Sequence, residues 1–139
     1  MKYISLNHNS APTSFKKAVI NGLAPDKGLY FPEKDVKLPK SFIESLKTLD
    51  NNEICYEVIS NYIDDEIPKN KLLEIVNDTI SFKIPLKKIE QSVYSLELFH
   101  GPTLAFKDIG AKFMASCLNY FKDSYISKKI TVLVATSGD

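Results

Sequence analysis

The sequence predicts an α/β protein in which a mainly helical N-terminal domain, residues 1–85, precedes the truncated start of a domain with a parallel β-sheet, residues 86–139. In the first domain, apolar residues recur at the spacing of helices. The second domain contains three patterns in order: a β-prone run over 93–99, a long helical pattern over 104–122 and an apolar run over 130–135. Strand, helix and strand in this order are typical of the beginning of an α/β domain.

The first helix and the first turn of the N-terminal domain are indicated by the residues at their ends. Thr13 and Ser14 are N-cap residues for a helix that Gly22 ends in the left-handed conformation. The segment 25–28 reads Pro-Asp-Lys-Gly, in which proline presets φ and glycine accepts a positive φ. We therefore expect a turn there, followed by a short strand over 29–31.

Further helices are expected before the domain boundary. The segment Ser41 to Glu44 fits a capping box, which predicts a helix that reaches about Leu49. Pro68 is suited to the first turn of a later helix. The helix between them is predicted by an apolar stripe of helical period, formed by Ile54, Cys55, Val58, Ile59, Tyr62 and Ile63. Because this helical character ends soon afterwards, we place the boundary near residues 82 to 88.

The second domain is predicted to contain a helix and a strand with distinct faces. Over 104–122, polar residues that point away from the core are expected at Lys112, Asn119, Lys122 and Asp108. The buried face is expected to contain Phe106, Ile109, Phe113, Met114, Cys117, Tyr120 and Phe121. The run 130–135 has the composition of a strand buried on both faces, as in parallel sheets.

The polar corner 136–139 follows this strand, where a helix normally comes next. A sheet of so few strands has little to cover it. We therefore expect the 139 residues to be a fragment of a longer protein. Apolar surface left uncovered in such a fragment favours self-association.

Composition excludes several classes of function. The 18 basic residues are all lysine and 17 acidic residues reduce the net charge to +1, so non-specific binding to nucleic acid or to a membrane is not expected. Anions must be bound by lysines, hydroxyls or backbone N–H groups, because the bidentate arginine fork is missing. No signal sequence or membrane span is predicted. Cys55 and Cys117 lack metal-ligand spacing, so we expect a cytoplasmic protein with reduced thiols and no metal.

Lys107 is the strongest candidate for a catalytic residue. It lies in the first turn of the helix after Thr103, at the edge of the apolar face, where the helix dipole and desolvation both disfavour a charged ammonium. A neutral amine is a nucleophile toward an aldehyde, which makes Lys107 a Schiff-base candidate. On placement alone, the alternative is a solvated surface lysine.

Two further places are candidates for ligand binding. The corner Thr136-Ser137-Gly138-Asp139 offers hydroxyl and backbone N–H groups beyond the carboxyl end of a parallel strand, where α/β proteins bind ligands such as carboxylates or phosphates. The alternative is an ordinary loop between a strand and a helix. His100 lies on a turn at a strand end, where it either contacts a ligand or fixes the turn.

Several segments resemble the threonine synthase family. The longest, over 96–115, reads LELFHGPTLAFKDIGAKFMA and is similar to the family's pyridoxal-phosphate lysine segment. The closing VATSGD over 134–139 resembles the opening of the family's TSGDTG loop, and segments over 14–24 and 28–32 resemble its N-terminal domain. The resemblance extends over nearly the whole chain.

This resemblance implies a fold-type II enzyme that depends on pyridoxal 5'-phosphate. Such an enzyme is a lyase acting on phosphates, and it converts O-phospho-L-homoserine and water to L-threonine and phosphate. Lys107 then binds the cofactor covalently and moves protons at the substrate's α- and β-carbons, while the cofactor acts as an electron sink. Phe106 and Asp139 are implied to lie at the cofactor. The resemblance places the substrate against Thr136, Ser137, Gly138 and His100.

The resemblance also sets an expectation for this chain alone and leaves alternatives open. The family's glycine-rich loop for the cofactor phosphate comes later than residue 139, so the chain alone is expected neither to bind the cofactor tightly nor to turn over. A threonine-synthase-like phospholyase, which releases 2-oxobutyrate from the same substrate, is the first alternative. A non-catalytic interaction module is the second, and it predicts a stable monomer.

Overall fold

Two short antiparallel strands join the beginning of the chain to the segment that follows its first helix. Strand β1 (Tyr3–Ser5) pairs with β2 (Tyr30–Pro32), and Ile4 lies opposite Phe31. Helix α1 (Phe15–Asn21) lies between the strands in the sequence. The strand predicted over 29–31 is thus confirmed with a shift of one residue, whereas its partner β1 was not predicted.

The structure, a computed structural model, describes residues 1–122 and 131–135. The chain forms two compact units, Met1–Asn77 and Asp78–Asp139. After β2, the helical elements are α2 (Lys40–Ser45), α3 (Asn51–Ile63), a 3-10 turn (Asp64–Glu66) and α4 (Lys69–Thr79). Among the described residues, no helix has both the length and the apolar character needed to cross a lipid bilayer.

Helix α1 has the end residues that the sequence predicts. The Ser14 hydroxyl accepts the backbone N–H of Lys17 at 3.3 Å. At the other end, Gly22 has a φ of +68° and donates its N–H to the carbonyl of Ala18 at 3.0 Å. Glycine adopts this left-handed conformation without the steric cost that a Cβ imposes. Thr13 has a different role, since its backbone pairs with that of Tyr3.

The capping box predicted at Ser41 is wrong, and so is the predicted end of its helix. Helix α2 begins at Lys40, directly after Pro39, which provides no side-chain cap. The helix ends at Ser45. Because Ser41 is already inside the helix, its hydroxyl does not occupy the N-cap position. The capping box occurs instead at α3, where the Asp50 carboxylate accepts the N–H of Glu53 at 2.8 Å and Glu53 accepts that of Asp50 at 2.9 Å.

The core of the first unit comes mainly from the end of α3 and from α4. The helical stripe predicted for α3 is confirmed as a helix, and its last residue, Ile63, is fully buried. Burial of one such side chain stabilises the fold by about 1.5–3 kcal/mol before entropy is counted. The other deeply buried apolar side chains of this unit are Ile67, Leu72, Ile75, Val76, Tyr3, Phe15, Ala18 and Ala24.

Polar contacts connect the N-terminal segment to the region between α3 and α4. The carboxylate of Glu66 accepts the backbone N–H groups of Phe15 and Lys16 at 2.8 and 3.0 Å, so it satisfies two donors in the first turn of α1. The Tyr3 hydroxyl donates to the carbonyl of Tyr62 at 2.8 Å. Burial, followed by the nearby Glu66 charge, raises the pKa of Tyr3 to about 12. Tyr3 is therefore a neutral donor throughout the physiological pH range.

Asp26 organises the loops on either side of the predicted turn. Its carboxylate accepts the Ser5 hydroxyl at 2.6 Å and the backbone N–H groups of Asn9 and Gly28 at 2.9 and 3.0 Å. Its own N–H donates to the Ser10 hydroxyl at 3.2 Å. The hydrogen bond from Ser5, with smaller contributions from the backbone of Gly28 and Asn9, lowers the pKa of Asp26 below its usual value.

The second unit begins with an exposed β-hairpin. Strand β3 (Leu86–Glu90) pairs with β4 (Val93–Leu96) in the antiparallel direction, with an irregularity between Lys88 and Glu90. The β-prone run predicted over 93–99 is therefore confirmed over its first part, whereas β3 was not predicted. Apolar side chains of both strands are exposed, among them Leu86, Ile89, Val93, Tyr94 and Leu96.

Helix α5 (Lys107–Phe121) is shorter than predicted and buries a narrower face. Cys117 and Phe121 are buried as expected, but Phe106 lies before the helix and is 74% exposed, and Met114 is exposed. Asp108 was expected to point to solvent and is instead buried. The solvent position predicted for Asp108 from the helical period is wrong. Asp108 lies at the helix start, where its carboxylate turns back to the preceding loop and accepts the N–H of Thr103.

Lys112 also differs from its predicted solvent position. Its ammonium donates to the Ser81 hydroxyl at 2.6 Å and lies 5.9 Å from the centre of the Phe82 ring. Ser116, one turn further along α5, donates to the Asp78 carboxylate at 3.1 Å. These contacts attach α5 to the end of α4 within the second unit.

The buried parallel strand predicted over 130–135 is not observed. Residues 131–135 have no strand pairing and are exposed, with Leu133 at 91%, while Ile130 lies outside the described residues. A parallel strand forms only where a neighbouring strand supplies hydrogen bonds, and β1 to β4 pair only within their own hairpin or ribbon. The described part of the chain is thus a mixed helix and sheet fold in which the parallel sheet is not shown.

We predict that Glu66→Gln destabilises the first unit by about 1–2 kcal/mol, because the amide loses one acceptor and turns an N–H group toward the start of α1. Urea unfolding followed by far-UV circular dichroism measures the change. Asp65→Asn is the matched control, since Asp65 is an exposed carboxylate in the same 3-10 turn and its replacement should change stability by less than about 0.5 kcal/mol. Equal effects of the two variants would contradict the assigned role of Glu66.

We also predict that Asp26 makes the stability of the chain depend on acid pH. Its folded pKa lies below the unfolded value of about 3.9, so its stabilising contribution is complete above that pH. The contribution is lost as the pH falls through the folded pKa, when the carboxylate becomes protonated. Asp26→Asn should therefore be less stable than the wild type at pH 7, and the difference should shrink below pH ~4 in urea titrations. A difference that stays constant with pH would contradict this account.

Candidate functional site

The segment that connects β4 to α5 carries the predicted site residues of the described chain. A turn at its centre is closed by the N–H of Leu104, which donates to the carbonyl of Gly101 at 3.1 Å. Leu104 has a φ of +56°, a left-handed conformation that costs roughly 1–2 kcal/mol for a residue with a Cβ. Such a conformation persists only where the surrounding structure holds it.

Asp108 supplies the contact that holds this turn. Its carboxylate accepts the backbone N–H of Thr103 at 2.9 Å, five residues earlier, and the residue is only 5% exposed. A Cβ at Gly101 would overlap the Asp108 carboxylate, so this position allows the close approach only as glycine. The sequence-based interpretation missed this role, although an acidic residue in the first turn of a helix is a recognisable signal.

Lys107 is the first residue of α5 and is partly buried. The helix begins without a side-chain cap on the preceding residue, Phe106, which already has α-helical dihedral angles. Long hydrogen bonds to carbonyls three residues earlier link the N–H of Asp108 to Ala105 and that of Ile109 to Phe106, at 3.3 and 3.4 Å. The backbone around Lys107 is therefore held by these helical hydrogen bonds and by the bond that the Thr103 N–H donates to the Asp108 carboxylate.

His100 lies at the other end of the same connection. Its Nε2 is 2.8 Å from the Glu97 carboxylate, and its ring lies 4.8 Å from the ring of Phe99. The side chain is exposed. Glu97 was not recognised as a partner from the sequence, although its spacing of three residues would have suggested the pair. When Nε2 donates to Glu97, Nδ1 remains an acceptor for a ligand group.

The structure thus places part of the predicted site on one connection of the chain. His100 and Phe106 lie between the end of β4 and the start of α5, and Lys107 is the first residue of α5. Phe106 immediately precedes Lys107 in the sequence, and most of its side chain is exposed. The other predicted site residues, Thr136, Ser137, Gly138 and Asp139, lie outside the described residues.

The chemistry of these groups fits an aldehyde cofactor at Lys107. A primary amine on the first turn of a helix forms a covalent bond to an aldehyde, and an exposed aromatic side chain next to it can cover a planar ring. Within residues 1–122 and 131–135, no group of three or more His, Cys, Asp or Glu side chains is arranged to bind a metal ion.

The cysteines are poor nucleophiles in this environment. Both thiols are unpaired, and Cys117 is fully buried in α5. Burial raises the pKa of Cys117 to about 12, and burial also raises that of Cys55. The thiolate, which is the reactive form, is therefore scarce at neutral pH. Both residues have the environment expected of reduced core thiols.

A separate pocket in the first unit contains none of the predicted site residues. It lies between the end of α3 and the start of α4 and is lined by Tyr56, Asp65 and Lys69, among others. The Lys69 ammonium lies 5.3 Å from the centre of the Tyr56 ring, a cation–π distance that accounts for this pair without a ligand.

Comparison with known proteins gives consistent matches. The family model described as the threonine synthase N terminus matches residues 2–80. A threonine synthase from Haemophilus influenzae is 41% identical over 139 residues, which cover all of this chain and 32% of that protein. The chain therefore spans about a third of the length of the curated relatives it matches.

Solved crystal structures of threonine synthases also resemble the structure of this chain. The crystal structure of the Escherichia coli enzyme matches with a TM-score of 0.82 and 38% identity, covering 88% of this chain and 28% of that one. The pyridoxal-phosphate-bound enzyme from Brucella melitensis matches with a TM-score of 0.85 and 31% identity, covering 89% and 28%. Because the family model also matches more than half of the sequence, this chain belongs to the threonine synthase family.

Proposed function

We propose that the full-length protein containing this chain is a pyridoxal-phosphate-dependent threonine synthase. It converts O-phospho-L-homoserine and water to L-threonine and phosphate in the cytoplasm, as a carbon–oxygen lyase of fold type II. The observation that carries the proposal is Lys107 at the start of α5, in a segment that resembles the family's lysine segment and lies within the length matched by the Haemophilus influenzae relative. The cofactor bound in the Brucella melitensis relative supports the same assignment.

In this proposal Lys107 has two roles. Its amine holds the cofactor covalently and, once the substrate amine has replaced it, moves a proton at the substrate's α- and β-carbons. The bound cofactor supplies an electron sink for the substrate's α-carbon. The lysine side chain is long enough to reach neighbouring carbons while the partly buried helix start keeps its backbone in place.

The neighbouring residues orient and cover the reacting groups. We assign Phe106 to the cofactor, where its exposed ring excludes water from one side. His100, held by Glu97, contacts the substrate. Asp139 is assigned to the cofactor. The substrate carboxylate is assigned to hydroxyl and backbone N–H groups of Thr136, Ser137 and Gly138, since the chain has no arginine for this task.

We assign residues 1–85 to the N-terminal domain and residues 86–139 to the beginning of the catalytic domain. The family match, which ends at residue 80, supports a boundary in this region. The division between the compact units falls slightly earlier, at Asn77 and Asp78, because Asp78 and Ser81 contact α5.

The first prediction tests the cofactor site in the full-length protein. After addition of stoichiometric pyridoxal phosphate and reduction with borohydride, peptide mass spectrometry should find the adduct on Lys107. Lys107→Ala should abolish this adduct and lower the turnover by at least ~10²-fold, because the proton-transfer group is lost. Lys122→Arg is the control, since Lys122 is an exposed lysine at the end of the same helix, and its loss should change neither quantity.

The outcomes of this experiment separate the alternatives. Label spread over exposed lysines with Lys107 unmodified would contradict the cofactor assignment and favour a non-catalytic interaction module. Label on Lys107 with formation of threonine supports the synthase. Label on Lys107 with formation of 2-oxobutyrate and no threonine would indicate a phospholyase instead.

A second prediction concerns the chain by itself. We expect the 139 residues alone to self-associate, because apolar side chains on the hairpin, before α5 and at Leu133 and Val134 are exposed. Size-exclusion chromatography with light scattering should give a mass above 15.7 kDa that rises with concentration. A compact monomer with exchange-protected amides over residues 131–135 would contradict this prediction and favour the interaction module.

A further inference from the structure

We propose that Asp108 is a positioning residue for Lys107, which it places by fixing the backbone at the start of α5. The inference rests on the proposed function, in which Lys107 carries the cofactor. Asp108 itself is not assigned a chemical step, because its carboxylate is turned toward the protein backbone. It acts through its neighbour and through the turn that precedes the helix.

The burial of Asp108 is the first observation behind this proposal. A buried carboxylate is costly unless hydrogen bonds compensate for the lost water. Asp108 is 5% exposed and accepts the Thr103 N–H at 2.9 Å. This bond closes a loop of the chain that contains Lys107. The two ends of the loop, Thr103 and Asp108, are therefore held at a fixed separation on either side of the lysine.

The fit of Gly101 against the carboxylate is the second observation. A Cβ at position 101 would overlap Asp108, so the turn and the helix start approach as closely as a glycine permits. The same turn holds Leu104 at a φ of +56°, which a leucine does not adopt without support. Thr103 is next to Leu104 in the sequence, and the hydrogen bond that its N–H donates to the Asp108 carboxylate gives that support.

The consequence for Lys107 follows from chain geometry. Adjacent Cα atoms are separated by about 3.8 Å, so anchoring Asp108 limits the positions that the Lys107 Cα can occupy. Small errors in the position of a reacting group lower the rate of reaction by large factors. We therefore expect the loss of this anchor to reduce the reaction of Lys107 with an aldehyde more than it reduces the stability of the fold.

The test uses the full-length protein with pyridoxal phosphate as the probe. In Asp108→Ala, the fraction of borohydride-fixed label on Lys107 should fall by about tenfold or more, because the turn loses its anchor. In Asp108→Asn, a neutral oxygen still accepts the Thr103 N–H, so the label should recover to within about threefold of the wild type. Thermal unfolding of each variant reports separately on stability.

A matched control distinguishes positioning from a general effect on helix ends. Glu53→Ala removes a backbone-bound carboxylate from the first turn of α3. This variant should lower the unfolding temperature and leave the label on Lys107 unchanged. If Asp108→Ala does not fold, Gly101→Ala replaces it, because the added Cβ displaces the carboxylate while every hydrogen-bonding group is retained.

The outcomes also separate this inference from the proposed function. A folded Asp108→Ala or Gly101→Ala protein that labels Lys107 like the wild type would overturn the positioning role and leave the proposed function intact. A wild type that does not label Lys107 would overturn both. Loss of label in Asp108→Ala with recovery in Asp108→Asn would support both.

Discussion

Hydrogen bonds from backbone N–H groups to carboxylates hold the irregular segments of this protein in place. Asp26, Asp50, Glu66 and Asp108 each accept at least one backbone N–H, at distances of 2.8 to 3.0 Å. The four described strands have at most 5 residues, and α1 and α2 have 7 and 6. Much of the backbone around them therefore lies in turns and at helix ends, where N–H groups have no partner within the element. A charged acceptor satisfies such groups more strongly than a neutral one.

This use of carboxylates also distinguishes the fold's polar contacts from ordinary surface ion pairs. Exposed pairs such as Lys40 with Glu44 and Lys71 with Glu74 join neighbouring turns of one helix and contribute little. The bonds to Glu66 and Asp26, by contrast, connect residues that are 51 and 17 positions apart. The long-range contacts therefore determine how the loops are arranged, and the ion pairs add to helices that are already formed.

Features that depend on neighbours in the sequence could be predicted, and features that depend on distant residues could not. Ser14 and Gly22 end α1 as expected, because both act on groups within one helical turn. The capping role of Glu66 depends on a contact with a distant helix, which no local pattern reveals. The strand predicted over 130–135 had suitable residues, but its pairing partners are not among the described ones.

In the candidate site, too, some features could be predicted from the local sequence and others could not. The motif around Lys107 resembles the family's lysine segment, and this local resemblance predicts which side chain carries the chemistry. That assignment stays a prediction, although an amine at a helix start suits an aldehyde. The surroundings of Lys107 depend on Asp108, whose buried carboxylate contradicts the helical projection. In the proposed function Lys107 first holds a cofactor and then moves protons, and an anchored backbone with a long side chain suits these two roles. In our proposal the anchor lies one residue from the lysine, so it acts on the backbone of Lys107 and not on its amine.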